Sequence, residues 1–172
     1  MKKILLSGAV LLLSLSAFAQ NCTKILKTET YGSTVMTSMK EPIKVTQGSD
    51  GIEINLIFGS NLIFKVGTAN RALKCVGSNA LMNTIFTDGS KSSLTHMGKL
   101  NCEGNFSVFF GEVFQNTNEL QQLETKKIKT IGITYSDYKD NKRVDNIEVF
   151  SLTDDQSTMV MQTLKCLSIL KN

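Results

Sequence analysis

The chain is poor in the residues that mark most chemistry. It has no tryptophan, one proline at Pro42 and one histidine at His96 among 172 residues. One histidine and four cysteines with no C-x-x-C spacing exclude a thioredoxin-like redox motif and a four-ligand zinc site. They also leave no Ser-His-Asp or Cys-His arrangement to argue for. Charge of one sign is missing too. Nineteen basic residues face fifteen acidic ones, and two of the basic ones, Lys2 and Lys3, lie at the extreme N-terminus. A nucleic-acid binder concentrates basic charge on one face. Here the densest cluster is Lys126-Lys127-Ile128-Lys129, which reads as a strand entering a sheet with its lysines wet. No nucleic-acid partner is expected. No low-complexity stretch or linker appears, and disorder has no compositional support.

The one long apolar run is Ile4 to Leu15, preceded by Met1-Lys2-Lys3. It has the length of a secretion signal and is short of the ~20 residues a membrane span needs. Ala17-Phe18-Ala19 places small residues where a signal peptidase reads, so cleavage is expected before Gln20. Asn21 before Cys22 is a poor lipoprotein site. Residues 1–19 are therefore read as a signal peptide. Residues 20–172 are read as one soluble exported domain, periplasmic or extracellular, with no membrane span after cleavage. No cofactor and no metal are expected.

Cys22, Cys75, Cys102 and Cys166 are then an even set in an oxidising space, which reads as two disulfides. Three pairings are open. Cys22 ties down a terminus that otherwise frays, and a bridge over 25 or more residues contributes ~3–4 kcal/mol.

Most of the chain reads as strands. "GIEINLIF" at 51–58 and "LIFKV" at 62–66 flank "GSN", a hairpin pattern. "LMNTIF" at 81–86 and "KSSLTHM" at 91–97 flank Asp88-Gly89 in the same way. Strands are also expected at 23–31, 105–110, 127–135 and 146–152, with helical turns at 116–124 and a polar loop at 138–143. The two hairpins resemble each other: Asn55 to Phe58 and Asn83 to Phe86 are each followed by Leu-x-Cys-x-Gly, at Leu73 and Leu100. If this is a duplication, Cys75 and Cys102 are equivalent, and their pairing is plausible. Thr153-Asp-Asp-Gln156 is a capping box. It opens a helix whose apolar face carries Met159, Val160, Leu164, Cys166, Leu167 and Leu170.

Leu56-Ile57-Phe58 and Leu62-Ile63-Phe64 put bulk on both faces of their sheet, whereas a half-wet sheet alternates. The helix covers one face; the other needs a second sheet, a loop or a partner. The fold class expected is α+β: a mostly antiparallel two-layer β-sheet with a C-terminal amphipathic helix packed on it. A β-sandwich with an appended helix is the alternative.

Candidate site residues are few. Phe106, Phe109, Phe110 and Phe114, with Val113, form the densest aromatic cluster, either core or a ligand surface. His96 with Asp88 is a weak base pair of residues, and a surface histidine is the plainer reading. Glu103 and Glu112 flank an apolar strand, and paired carboxylates can hydrolyse glycosides. Asp137, Asp140 and Asp145 lack the spacing of a calcium loop.

The succession "IFTDGS" at 85–90, "NCEGNFSVFFGEVF" at 101–114, "ELQQLETKKIKTIGI" at 119–133 and "LKCL" at 164–167 resembles small uncharacterised exported proteins of Bacteroidetes-type bacteria. It covers residues 79–168 and leaves 22–70 outside. The resemblance implies export and one domain, and names no site. The function expected is that of a non-enzymatic binding domain of the cell envelope, for an envelope protein, a glycan or an apolar ligand. The alternatives are a small carboxylate-dependent hydrolase and an inhibitor or immunity-like partner of an envelope enzyme.

Overall fold

The structure, a computed structural model, describes residues 21–68, 74–111, 113–114, 116–139 and 142–170. The leader and its cleavage point before Gln20 lie outside them, as do Glu112 and Asp140.

Residues 21–25 are helical (α1) and lead into β1 (Leu26–Tyr31) and β2 (Thr34–Met39). These pair across a two-residue turn, where Gly32 takes φ 62°. A left-handed backbone matches the twist of such a hairpin, and glycine adopts it without Cβ strain. β3 (Ile43–Gln47) and β4 (Asp50–Phe58) form a second hairpin of the same kind. β2 and β3 both run along one edge of β4. From Ser38 to Ile43 the chain advances five residues while β4 advances three, from Ile57 to Ile54. Two residues are therefore extruded around Lys40, Glu41 and Pro42, where proline has no N–H to give the ladder. β5 (Leu62–Thr68) follows β4, and β8 (Phe106–Phe110) pairs with β5. This first sheet has the order β1-β2-β4-β5-β8 with β3 beside β4.

The second sheet contains β6 (Leu81–Phe86), β7 (Lys91–Thr95), β9 (Ile128–Lys139) and β10 (Lys142–Ser151), in the order β10-β9-β6-β7. The segment expected as a polar loop at 138–143 is instead the end of the β9–β10 hairpin, with Lys139 opposite Lys142. All the pairings are antiparallel. α2 (Thr117–Thr125) and α3 (Asp154–Ile169) complete the fold, so α+β is the class observed.

Alternation decides what is buried. Ile52, Ile54 and Leu56 on β4, Phe64 and Val66 on β5, and Phe106 and Val108 on β8 are fully buried. They join Met82, Phe86, Ile131 and Ile133 of the second sheet in one core with Val160, Leu164 and Leu167 of α3. Burying each such side chain contributes about 1.5–3 kcal/mol before ordering costs. The capping box forms as its residues require: Thr153 Oγ1 accepts the Gln156 N–H at 3.2 Å, and Gln156 Oε1 accepts the Thr153 N–H at 2.8 Å. The buried helix face differs from expectation. Met159 and Leu170 are exposed, and Ser157 and Thr163 take places in the interior.

Two disulfides brace the fold. Cys22–Cys166 ties α1 to α3 across 144 residues of sequence. Cys75–Cys102 spans 27. Val76 and Asn101 exchange backbone hydrogen bonds of 2.7 and 3.1 Å. Their neighbours Cys75 and Cys102 thus stand opposite each other as the close, non-bonded kind of antiparallel pair. The two similar hairpins fall in different sheets, while the segments carrying these cysteines lie side by side.

Candidate functional site

The outward face of the first sheet carries an apolar band. Ile57, Ile63 and Phe109 are direct cross-strand neighbours on β4, β5 and β8. All three are only partly buried, with side chains opposite in sense to the core residues Leu56, Phe64 and Val108. Phe114 stacks on Phe109 with ring centroids 5.7 Å apart. Met36 on β2 lies over Gly59, its Cγ 3.8 Å from where a Cβ would stand. Val113, next to Phe114 in sequence, is 84% exposed. The bulk that the sequence places on both faces of 56–58 and 62–64 is thus covered on one side by the core and left half-open on the other.

β8 sorts three of the four phenylalanines by parity, and Phe114 lies beyond its end. Phe106 and Phe110 point inward, at 0% and 1% exposure. Phe109 and Phe114 belong to the band. An aromatic surface built from these residues therefore consists of Phe109 and Phe114.

Past β8 the sheet ends, and its edge is satisfied by atoms from loops. Asn105 N–H donates to Asn101 Oδ1 at 3.0 Å, and Asn101 Nδ2 donates to Asn105 O at 2.8 Å. Ser107 N–H donates to His96 Nδ1 at 3.0 Å, and Met97 N–H donates to Ser107 O at 2.9 Å. Phe109 N–H points at the Met97 thioether at 3.4 Å, and Asn116 Nδ2 donates to Phe109 O at 3.2 Å. Alternate residues of an edge strand turn both backbone groups outward. Here the outward groups of residues 105, 107 and 109 are all met, five of the six by side-chain atoms.

This assigns His96. It is 4% exposed, packed on Phe106 with centroids 5.3 Å apart. Nδ1 accepts a backbone N–H, so the ring proton sits on Nε2, which faces Lys99 O at 3.3 Å. The histidine is an interior edge ligand, contrary to the surface position expected. Leu94 inward and Thr95 outward already imply His96 inward, a parity signal present in "SLTH". Asn101, Met97 and Asn116 carry no such signal, because their role depends on which loops approach β8.

Among the described residues the carboxylates are not seen to converge on a site. Asp88 holds its own turn: Oδ1 accepts Ser90 N–H and Oγ–H at 2.9 and 2.6 Å, and Oδ2 pairs with Lys126 at 2.9 Å. The Ser90 hydroxyl, then Lys126, hold its carboxyl at about 2. A carboxyl whose folded value is depressed stabilises the fold above its unfolded value and loses that contribution as pH falls through the folded one. Asp88→Asn is therefore expected to melt below the native chain at pH 6, with the two midpoints converging between pH 3.8 and about 2. A gap independent of pH would contradict this assignment. Glu103 accepts from Asn105 Nδ2 at 3.0 Å at the surface. Asp145 accepts from Ser136 Oγ at 2.7 Å within the β9–β10 ladder, where Asp137 also lies. Among the described residues no group of three or more His, Cys, Asp or Glu side chains could hold a metal.

Two lysines of the basic cluster are engaged in structure. Lys126 binds the Asp88 turn, and Lys127 pairs with Asp154 at the α3 N-terminus at 2.7 Å. Lys74 pairs with Glu148 and lies 5.3 Å from the centroid of the Tyr135 ring. Burial, then the Glu148 charge, push the Tyr135 phenol above its usual range. An open groove of about 460 Å³ lies between Lys24, the Lys40–Pro42 bulge and Met159. One of its lysines, Lys40, is already donating to Thr23 O at 2.9 Å.

No described helix is long and apolar enough to cross a membrane. No protein-family model, no curated protein and no solved structure matches the chain.

Proposed function

We propose that the chain is an exported, disulfide-braced binding domain of the bacterial cell envelope, periplasmic or secreted, and that it works by contact rather than by covalent chemistry. The observation that supports this most is the half-open band Ile57–Ile63–Phe109–Phe114. Apolar side chains aligned across three strands and left at a surface are what a protein partner covers. The band is a half-open sheet face, which suits a protein surface better than an enclosed small ligand. The two disulfides support residence outside the reducing cytosol.

The test separates export from binding. Terminal sequencing of the protein from the envelope or medium should begin at Gln20, with all four cysteines oxidised. An uncut chain with reduced thiols in the cytosol would overturn the exported reading. For binding, cross-linking in intact cells should give an adduct that falls about tenfold in the double variant Ile63→Thr, Phe109→Thr, with both folds verified by circular dichroism. Equal adduct from both chains would remove the band as the binding face.

A further inference from the structure

The other end of the first sheet is not sealed as β8 is. β1 ends the strand order and, among the described residues, pairs with β2 alone. Lys27 to Tyr31 are all exposed. β2 meets β4 only at Thr37 and Ser38, so most of the β1–β2 hairpin stands clear of the body. Lys40 N–H bonds to Ile25 O, which fixes the phase of the ladder. Odd-numbered residues of β1 face β2, and Leu26, Thr28 and Thr30 turn their backbone groups outward.

We propose that this edge pairs antiparallel with the same edge of a second copy, the twofold axis passing through Thr28. A twofold axis normal to the sheet brings like-numbered strands together. Charge selects the register. With Thr28 on the axis, Lys27 faces Glu29 of the second copy and Glu29 faces its Lys27, giving two symmetric opposite-charge pairs on one face. Moving the axis one residue places Glu29 against Glu29, or Lys27 against Lys27, which is repulsive. The charges are already gathered: Lys27 Nζ lies 3.3 Å from Glu29 Oε1, and the Tyr31 hydroxyl donates to Glu29 Oε2 at 2.8 Å. Outward groups of Thr28 meet those of Thr28, and Leu26 meets Thr30 of the second copy twice. The pair joins two copies of the first sheet into one. The pairing uses the backbone edge of β1 and none of Ile57, Ile63, Phe109 or Phe114, although Lys27 and Glu29 share their sheet face, and its test reads association of the chain with itself.

Sedimentation of the disulfide-intact, matured protein tests it. A monomer–dimer equilibrium is expected in low salt, shifting toward monomer as salt screens the pairs. Glu29→Lys sets lysine against lysine at both symmetric positions and should weaken association at least about tenfold. Lys27→Glu combined with Glu29→Lys exchanges the charges and should restore it. A chain monomeric at ~100 μM in low salt overturns the proposal. So does association indifferent to Glu29→Lys, or a charge-exchanged variant that stays as weak as the single one. Circular dichroism confirms that each variant keeps its fold.

Discussion

Replacing Cys22 and Cys166 together by alanine is expected to lower the thermal midpoint by roughly 10–20 °C. The bridge spans 144 residues of sequence. A constraint of that length removes loop-closure entropy from the unfolded chain worth about 5 kcal/mol, and each kcal/mol moves the midpoint of a domain of this size by about 2–4 °C. Cys75–Cys102 closes a loop of 27 residues and is expected to contribute about 3–4 kcal/mol. The order of the two effects is the informative part. The short bridge joins segments already held by the Val76–Asn101 backbone bonds. The long bridge holds α1 against the far end of α3. Thermal unfolding of both double variants, followed by circular dichroism without reductant, measures the pair. A fall of less than about 3 °C for the Cys22–Cys166 variant would show that α1 is held by other means.

The second large effect separates two adjacent kinds of phenylalanine. Phe106→Ala should cost about 3–5 kcal/mol, the loss of a fully buried ring together with the cavity it leaves. Phe109→Ala, three residues on and half-open, should cost about 1 kcal/mol. Phe106 also backs the His96 ring, so its removal loosens the ligand of Ser107 N–H. Urea midpoints at constant slope give both values. Equal losses would mean that β8 does not alternate as described, and the apolar band would lose Phe109.

The sequence made some of this plain. Thr153 and Gln156 announce the start of α3, because a capping box is local and needs nothing from the rest of the fold. The β4–β5 and β6–β7 hairpins are announced by turn residues between β-branched runs. β2 and β3 were hidden. Lys40-Glu41-Pro42 looks like the end of structure, and only the edge of β4 shows that the ladder resumes after two extra residues. The far part of the β9–β10 hairpin reads as a loop because its residues are polar. Beyond the core, a ladder is held by backbone bonds and has no need of alternating apolar side chains. The apolar band was half legible. Bulk at Ile57 and Ile63 on the wrong parity says that something is left over, but not that β8 and Phe114 extend it. The ligands of the β8 edge were out of reach, since Asn101 and Asn116 act through tertiary approach alone.

That edge has a consequence for aggregation. A fibre built by adding strands needs two growing ends on every molecule. In the first sheet one end is stoppered by a histidine, a thioether and two amides, which offer no continuous backbone for a newcomer to copy. Along the line from β8 to β1, whatever joins at β1 is therefore the last to join.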